Sequence, residues 1–310
     1  MISGACAREN ALPPERGPEG ILSGKKVMIQ PNMSVRGWLT DSGSHALEGF
    51  IALEDATVIT RLREAGAELA GGGRMSELGF GLNGNEGIER VSSGVIDIFL
   101  ITDTLGEARI AAAKADLYGF KPSYGMVSRL GLIGLVPSME CYGMTAKNPQ
   151  DIIAVMRVIS GKDADDFSQA EETAPDFSKA SHPEGTSPVI GVINECIAML
   201  NAPETRAFKA GLSKLEQAGC AVRKISMERF GLFRSVHNVI GSVEASSSAG
   251  KYDGVRYGRR APSSKNWNEM YLNTRGESFG SLIKTYLFQG AYFQYENYGA
   301  FENACRIRRR

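Results

Sequence analysis

Apolar and polar positions alternate along this chain in two distinct periods. Lys25-Lys26-Val27-Met28-Ile29-Gln30 is a short apolar run that Pro31 closes by removing a backbone donor, so it reads as a strand. From Asp55 to Gly66 the period changes. Val58, Leu62 and Ala65 fall on one helical face, and Gly66 is placed to stop the helix. Ala67-Glu68-Leu69-Ala70 follows as a strand. The same phrasing returns later: Thr205 to Ala218 aligns Phe208, Leu212 and Leu215, Gly219 ends the helix, and Cys220 to Ile225 alternates as a strand. The two helix–Ala-Gly–strand units predict αβ units on a common sheet rather than a repeat array.

Between them, Asn148-Pro149 combines an N-cap with a proline at the first helical position and opens a helix carrying Ile152, Ile153, Val155, Met156 and Ile159, which Gly161 closes. Residues 162–187 are polar and proline-punctuated, a surface excursion. Pro188 to Ile193 reads as a buried strand. Glu269 to Arg310 is helical in pattern, and its aromatic stretch from Tyr286 to Tyr298 has no interleaved basic residues, which favours core packing over a base-stacking platform. Residues 1–23, with Pro13, Pro14 and Pro18, form an irregular arm, and 24–310 form a single domain. The fold class is α/β, a mixed central sheet flanked by helices.

Composition narrows the function classes. Thirty-five basic and thirty-five acidic residues balance, so no global field for nucleic acid or membrane is implied. The terminal Arg306-Ile307-Arg308-Arg309-Arg310 reads as a solvated helix end whose cations suit the helix dipole. Five scattered cysteines without a CxxC pair, and three separated histidines, speak against a zinc site or disulfide framework and fit a reducing cytoplasm. No apolar run reaches membrane-spanning length, and the N-terminal stretch lacks a signal-peptide core. Cys141 reads as inert core, and His45 and His237 as structural histidines. No metal or cofactor is expected.

Candidate chemistry enters with longer motifs. Gly119-Phe120-Lys121-Pro122-Ser123-Tyr124-Gly125-Met126-Val127-Ser128-Arg129 resembles the amidase signature family. Glu244-Ala245-Ser246-Ser247, Lys251 to Gly258, and Thr274-Arg275-Gly276-Glu277-Ser278-Phe279-Gly280 are similar to its branch of A subunits of tRNA-dependent Asp/Glu amidotransferases, with Ser278 where glycine is usual. The similarity runs from about Ile21 to the C-terminus. It implies a serine hydrolase in which a strand lysine is the ultimate base, a serine in a glycine-rich loop relays the proton, and a second serine attacks the amide carbon. Backbone N–H groups of glycine-rich turns would hold the oxyanion.

Three positions of this sequence fall on that triad. Gln30, in Ile29-Gln30-Pro31-Asn32, takes the lysine's place, and a carboxamide accepts no proton near neutral pH. Ser93, in Ser92-Ser93-Gly94, is the best match to the relay serine. Glu107, in Asp103-Thr104-Leu105-Gly106-Glu107-Ala108-Arg109, takes the nucleophile's place, and Leu105 replaces a turn glycine. All three read as non-functional. The family pattern also implies roughly ten more residues between Ser93 and Glu107, an alanine-rich helix, and a further segment before Glu89. By the same comparison the chain begins after the family's N-terminal helices and ends before its last third. Arg109, Arg256 and Arg275 are weak candidates for substrate binding. The expectation is a non-catalytic relative acting in binding or assembly, with other amidotransferase-type subunits or a second copy as partners and tRNA contacted only indirectly. The alternatives are an active glutamine-hydrolysing amidase or amidotransferase subunit, and a gene fragment without a role.

Overall fold

The computed structural model describes residues 18–71, 74–81, 86–169, 175–180, 188–256 and 258–309. Most of the expected N-terminal arm and part of the 162–187 excursion lie outside these residues. A five-stranded sheet is built from β1 (Lys26–Ile29), β2 (Glu68–Ala70), β3 (Ile98–Thr102), β4 (Tyr118–Phe120) and β5 (Tyr142–Ala146) in the order β2-β1-β3-β5-β4. β1 runs parallel to both β2 and β3, and β5 is antiparallel to β3 and β4, so the sheet is mixed as expected.

Strand alternation assigns the two faces. Val27, Ile29, Ile98 and Leu100 pack with α1 (Thr57–Glu64) and α4 (Pro149–Ile159). Met28, Phe99 and Ile101 face the other way, onto α2 (Glu86–Ser93) and α3 (Glu107–Lys114). The caps read from the sequence are in place: Asn148 Oδ1 accepts from Asp151 N at 2.9 Å, and Gly66 turns α1 off with φ of 85°.

A second layer follows. β6 (Val189–Ile193), α5 (Asn194–Ile197), α6 (Ala202–Gln217) and β7 (Ala221–Ile225) make a small parallel unit. The expected common sheet is therefore corrected. β6 and β7 pair with each other over five residue pairs, and neither joins the main sheet. α6 buries no side chain, and Val192 is the buried residue of β6, so β6 is not the buried strand its apolar run suggested.

α7 (Phe230–Ser248), α8 (Trp267–Ser278), α9 (Ser281–Tyr295) and α10 (Tyr298–Arg309) complete the chain. α7 and α9 pack closely because Gly290 lies against the Ser242 carbonyl, where a Cβ would collide. Phe279 and Ile283 then join Leu47, Leu78, Leu135 and Val136 in a further core cluster. The aromatic stretch is corrected too. Tyr286 packs against Phe80, but Phe288, Tyr292 and Tyr295, spaced along the opposite stripe of α9, are 75%, 52% and 82% exposed.

Candidate functional site

The C-terminal end of β3 carries the site. Its last residue, Thr102, leads into the turn Asp103-Thr104-Leu105-Gly106, and α3 begins at Glu107. Gly106 caps that helix at φ of 111°, a left-handed conformation that a side chain strains. Asp103 is fully buried. It accepts from Gly106 N at 2.8 Å and forms a two-pronged pair with Arg109 at 2.8 and 3.0 Å. This pair locks the turn to the first turn of α3.

Glu107 folds back over that turn. One carboxylate oxygen, Oε2, accepts from Thr104 N at 2.8 Å and from Leu105 N at 2.7 Å. The other, Oε1, is buried without a hydrogen-bond partner among the described residues. The side chain is 6% exposed. Burial is the largest influence on its pKa and pushes it up from the usual carboxylate value, with the nearby Asp103 charge adding to the rise. The N–H groups of Leu105, of Glu107 itself and of Thr104 pull against it. A carboxylate at a helix start is ordinarily solvent-facing. Instead, Glu107 is buried on backbone donors, and Arg109 belongs to Asp103.

Gln30, at the end of β1, reaches the same place. It is 5% exposed, and its Oε1 accepts from Thr102 N at 2.9 Å. Gln30, Ser76, Gly79, Gly81, Thr102 and Glu107 enclose a small cleft. The structure thus brings two of the three sequence-marked positions together. Ser93 is not one of them. It ends α2, is exposed, and its Oγ donates to Arg90 O at 3.1 Å, closing its own helix. The serine that does line the cleft is Ser76, which donates to Gly81 O at 3.3 Å. No motif marked Ser76, since it precedes the segment that aligns with the relay loop.

α2 also bears on the spacing. A helix occupies residues 86–93 ahead of β3, so the stretch before Glu107 contains a helix. It is polar rather than alanine-rich, and Ser93 lies at its far end. A relay position ahead of this helix falls in Leu82-Asn83-Gly84-Asn85, outside the described residues.

The remaining candidates separate. Arg109, half-exposed beyond its Asp103 contact, lines a large cavity of about 1040 Å³ on the outer side of the turn. His237 on α7 meets the same turn, with Nε2 3.2 Å from Thr104 O. Arg275 donates to Ala249 O at 2.6 Å and lies over the Phe279 ring, in a different groove between α8 and α9. Arg256 is exposed on the loop before α8. Arg308 also departs from expectation: it donates to Ser138 Oγ at 2.6 Å and lines the large cavity, whereas the terminal arginines read as solvated. Cys141 is buried core, its thiol pushed up to about 11 by burial. Among the described residues no cluster of His, Cys, Asp and Glu is arranged to hold a metal, and no helix is long and apolar enough to cross a membrane.

Comparison with known proteins agrees with the motif resemblance. The family described as Amidase matches residues 1–90 and 89–310. The A subunit of glutamyl-tRNA(Gln) amidotransferase from Symbiobacterium thermophilum is 32% identical over 92% of this chain, which spans 63% of that relative. The corresponding protein of Chlorobaculum tepidum is 32% identical over 98% of this chain and 69% of its own length. Among solved structures, the A subunit of the Thermotoga maritima glutamyl-tRNA(Gln) amidotransferase superposes with a TM-score of 0.73 and 24% identity, over 99% of this chain and 67% of that one. The mixed sheet with helices on both faces is the architecture of that structure, and the chain belongs to the amidase family.

Proposed function

We propose that this chain is a non-catalytic member of the amidase family that acts in binding or assembly. The observation that carries the proposal is the placement of the Glu107 carboxylate on the N–H groups of Thr104 and Leu105. In an acyl-transfer enzyme, backbone donors beside the nucleophile stabilise the developing oxyanion, and their effect depends on being vacant when substrate arrives. Here a permanent carboxylate occupies them. Glu107 Oε2 is engaged by those N–H groups, and the groups around the carboxylate do not activate it as a nucleophile: Gln30 accepts no proton, and no lysine lines the cleft among its described residues.

The relay position weakens the catalytic reading further. Ser93 is turned into its own helix, and Leu82-Asn83-Gly84-Asn85 contains no hydroxyl. Ser76 is the serine at the cleft, with its proton committed to Gly81 O. Partners follow from the family. The relatives' names describe one component of a larger enzyme, so other amidotransferase-type subunits or a second copy are the partners proposed, with tRNA reached only through them.

Acyl transfer leaves a covalent trace, which gives the test. Incubation with p-nitrophenyl acetate followed by intact mass measurement and peptide mapping should leave Ser76, Ser93 and Glu107 unmodified. An acetyl adduct on any of them, formed faster than on surface lysines, overturns the proposal.

A further inference from the structure

The large cavity outside the Asp103–Gly106 turn has an unbalanced electrostatic lining. Arg109, Lys121, Arg234 and Arg308 all border it, and no carboxylate does so among the described residues. Two of these cations are compensated nearby. Arg109 is paired with buried Asp103, and Arg308 lies 3.8 Å from Glu244, which itself accepts from Ser138 N and Oγ. The other two are not. Lys121 donates to Met139 O at 3.3 Å, a neutral partner, and Arg234 on α7 is exposed with no hydrogen bond or ion pair to a described residue.

The remaining wall is apolar. Phe80, Phe233, Leu282 and Tyr286 contribute to it, and the Tyr286 hydroxyl stays neutral, its pKa pushed up to about 12 by burial. A volume of about 1040 Å³ far exceeds what an inorganic anion fills and suits an organic molecule. Uncompensated cations beside an open, partly apolar cavity raise the local concentration of anions at its wall.

We infer that this cavity binds an organic carboxylate with an apolar or aromatic body, its charge met by Lys121 and Arg234 and its body by the Phe80, Phe233 and Leu282 wall. The inference rests on the proposed reading that the site binds rather than cleaves. A carboxylate is what an amide becomes after hydrolysis, so the cavity would favour the acid over the amide that an active relative cleaves.

Isothermal titration of the full chain with 3-phenylpropanoate, 3-phenylpropanamide and inorganic phosphate tests it. The acid should bind about tenfold more tightly than the amide, the ratio that two partly exposed charge contacts support. Phosphate should bind more weakly than the acid. The preference for acid should fall to within about twofold in the Lys121→Gln, Arg234→Gln variant and should weaken with added salt. Arg234→Gln alone, at an exposed position, should lower it in part without changing the thermal melt. Equal affinity for acid and amide, binding of phosphate as tight as that of the acid, no binding of either organic probe, or a preference untouched by the variants each overturns the inference. Ammonia released from 3-phenylpropanamide would instead overturn the non-catalytic reading, so the two failures are told apart.

Discussion

Glu107 is the residue on which the account turns, and its environment has a thermodynamic signature. Its carboxyl is held above the usual value of 4.5, chiefly because burial penalises the charge. The folded state therefore binds the proton more tightly than the unfolded chain does. The stability this group contributes is fully present below about 4.5 and is lost as pH rises through its raised folded value. Glu107→Gln keeps a carbonyl for the Thr104 and Leu105 donors and removes the titration. Urea midpoints of the two proteins should diverge in favour of the Glu107→Gln variant as pH rises above 4.5. A gap independent of pH would mean that Glu107 is solvated. At this scale the sequence was informative about identity and silent about placement. Gln30 and Glu107 were legible because motif order fixes them at the end of β1 and at the start of α3. Burial of Glu107 was not legible, since a carboxylate at a helix start is ordinarily solvent-facing, and only the fold-back onto residues 104 and 105 removes it from water. Ser93 was misleading because Ser-Ser-Gly fits both a catalytic loop and a helix terminus.

Elements were read best where local chemistry decides them. α1, α4 and α6 announced themselves through caps, a proline at the helix start or a glycine stop, and β1, β2 and β7 through short apolar runs beside glycine or proline. β3 and β5 carry no such punctuation and were not identified, although all residues of both are buried. Their register is set by partners distant in sequence. Helix packing at the C-terminal end was equally illegible: the spacing of Phe288, Tyr292 and Tyr295 marks a stripe but does not say which stripe meets α7. Gly290 does. Gly290→Ala would drive a Cβ into the Ser242 carbonyl and should destabilise the fold by about 1–3 kcal/mol despite alanine's better helix propensity. Gly299→Ala, on α10 with nothing within 4 Å of the new methyl, should stabilise by about 0.5–1 kcal/mol. Paired urea titrations would show opposite signs. The same sign for both would place α9 differently against α7.

Over the whole molecule, the mixed sheet and its two helical layers follow the family architecture, while two regions remain thinly covered: the β6–α6–β7 unit, and the aromatic stripe of α9. The chain spans 63–69% of the two curated relatives described above. Those faces are where a partner subunit or a second copy would gain most apolar contact. The site itself lies away from them, at the end of β3, where Gln30 and Glu107 meet at one small cleft. Ammonia release from glutamine by the purified chain, followed by a coupled glutamate dehydrogenase assay, tests this most directly. A rate indistinguishable from buffer, unchanged by Ser76→Ala or Ser93→Ala, is the predicted result. Release well above buffer that either alanine substitution abolishes would contradict it.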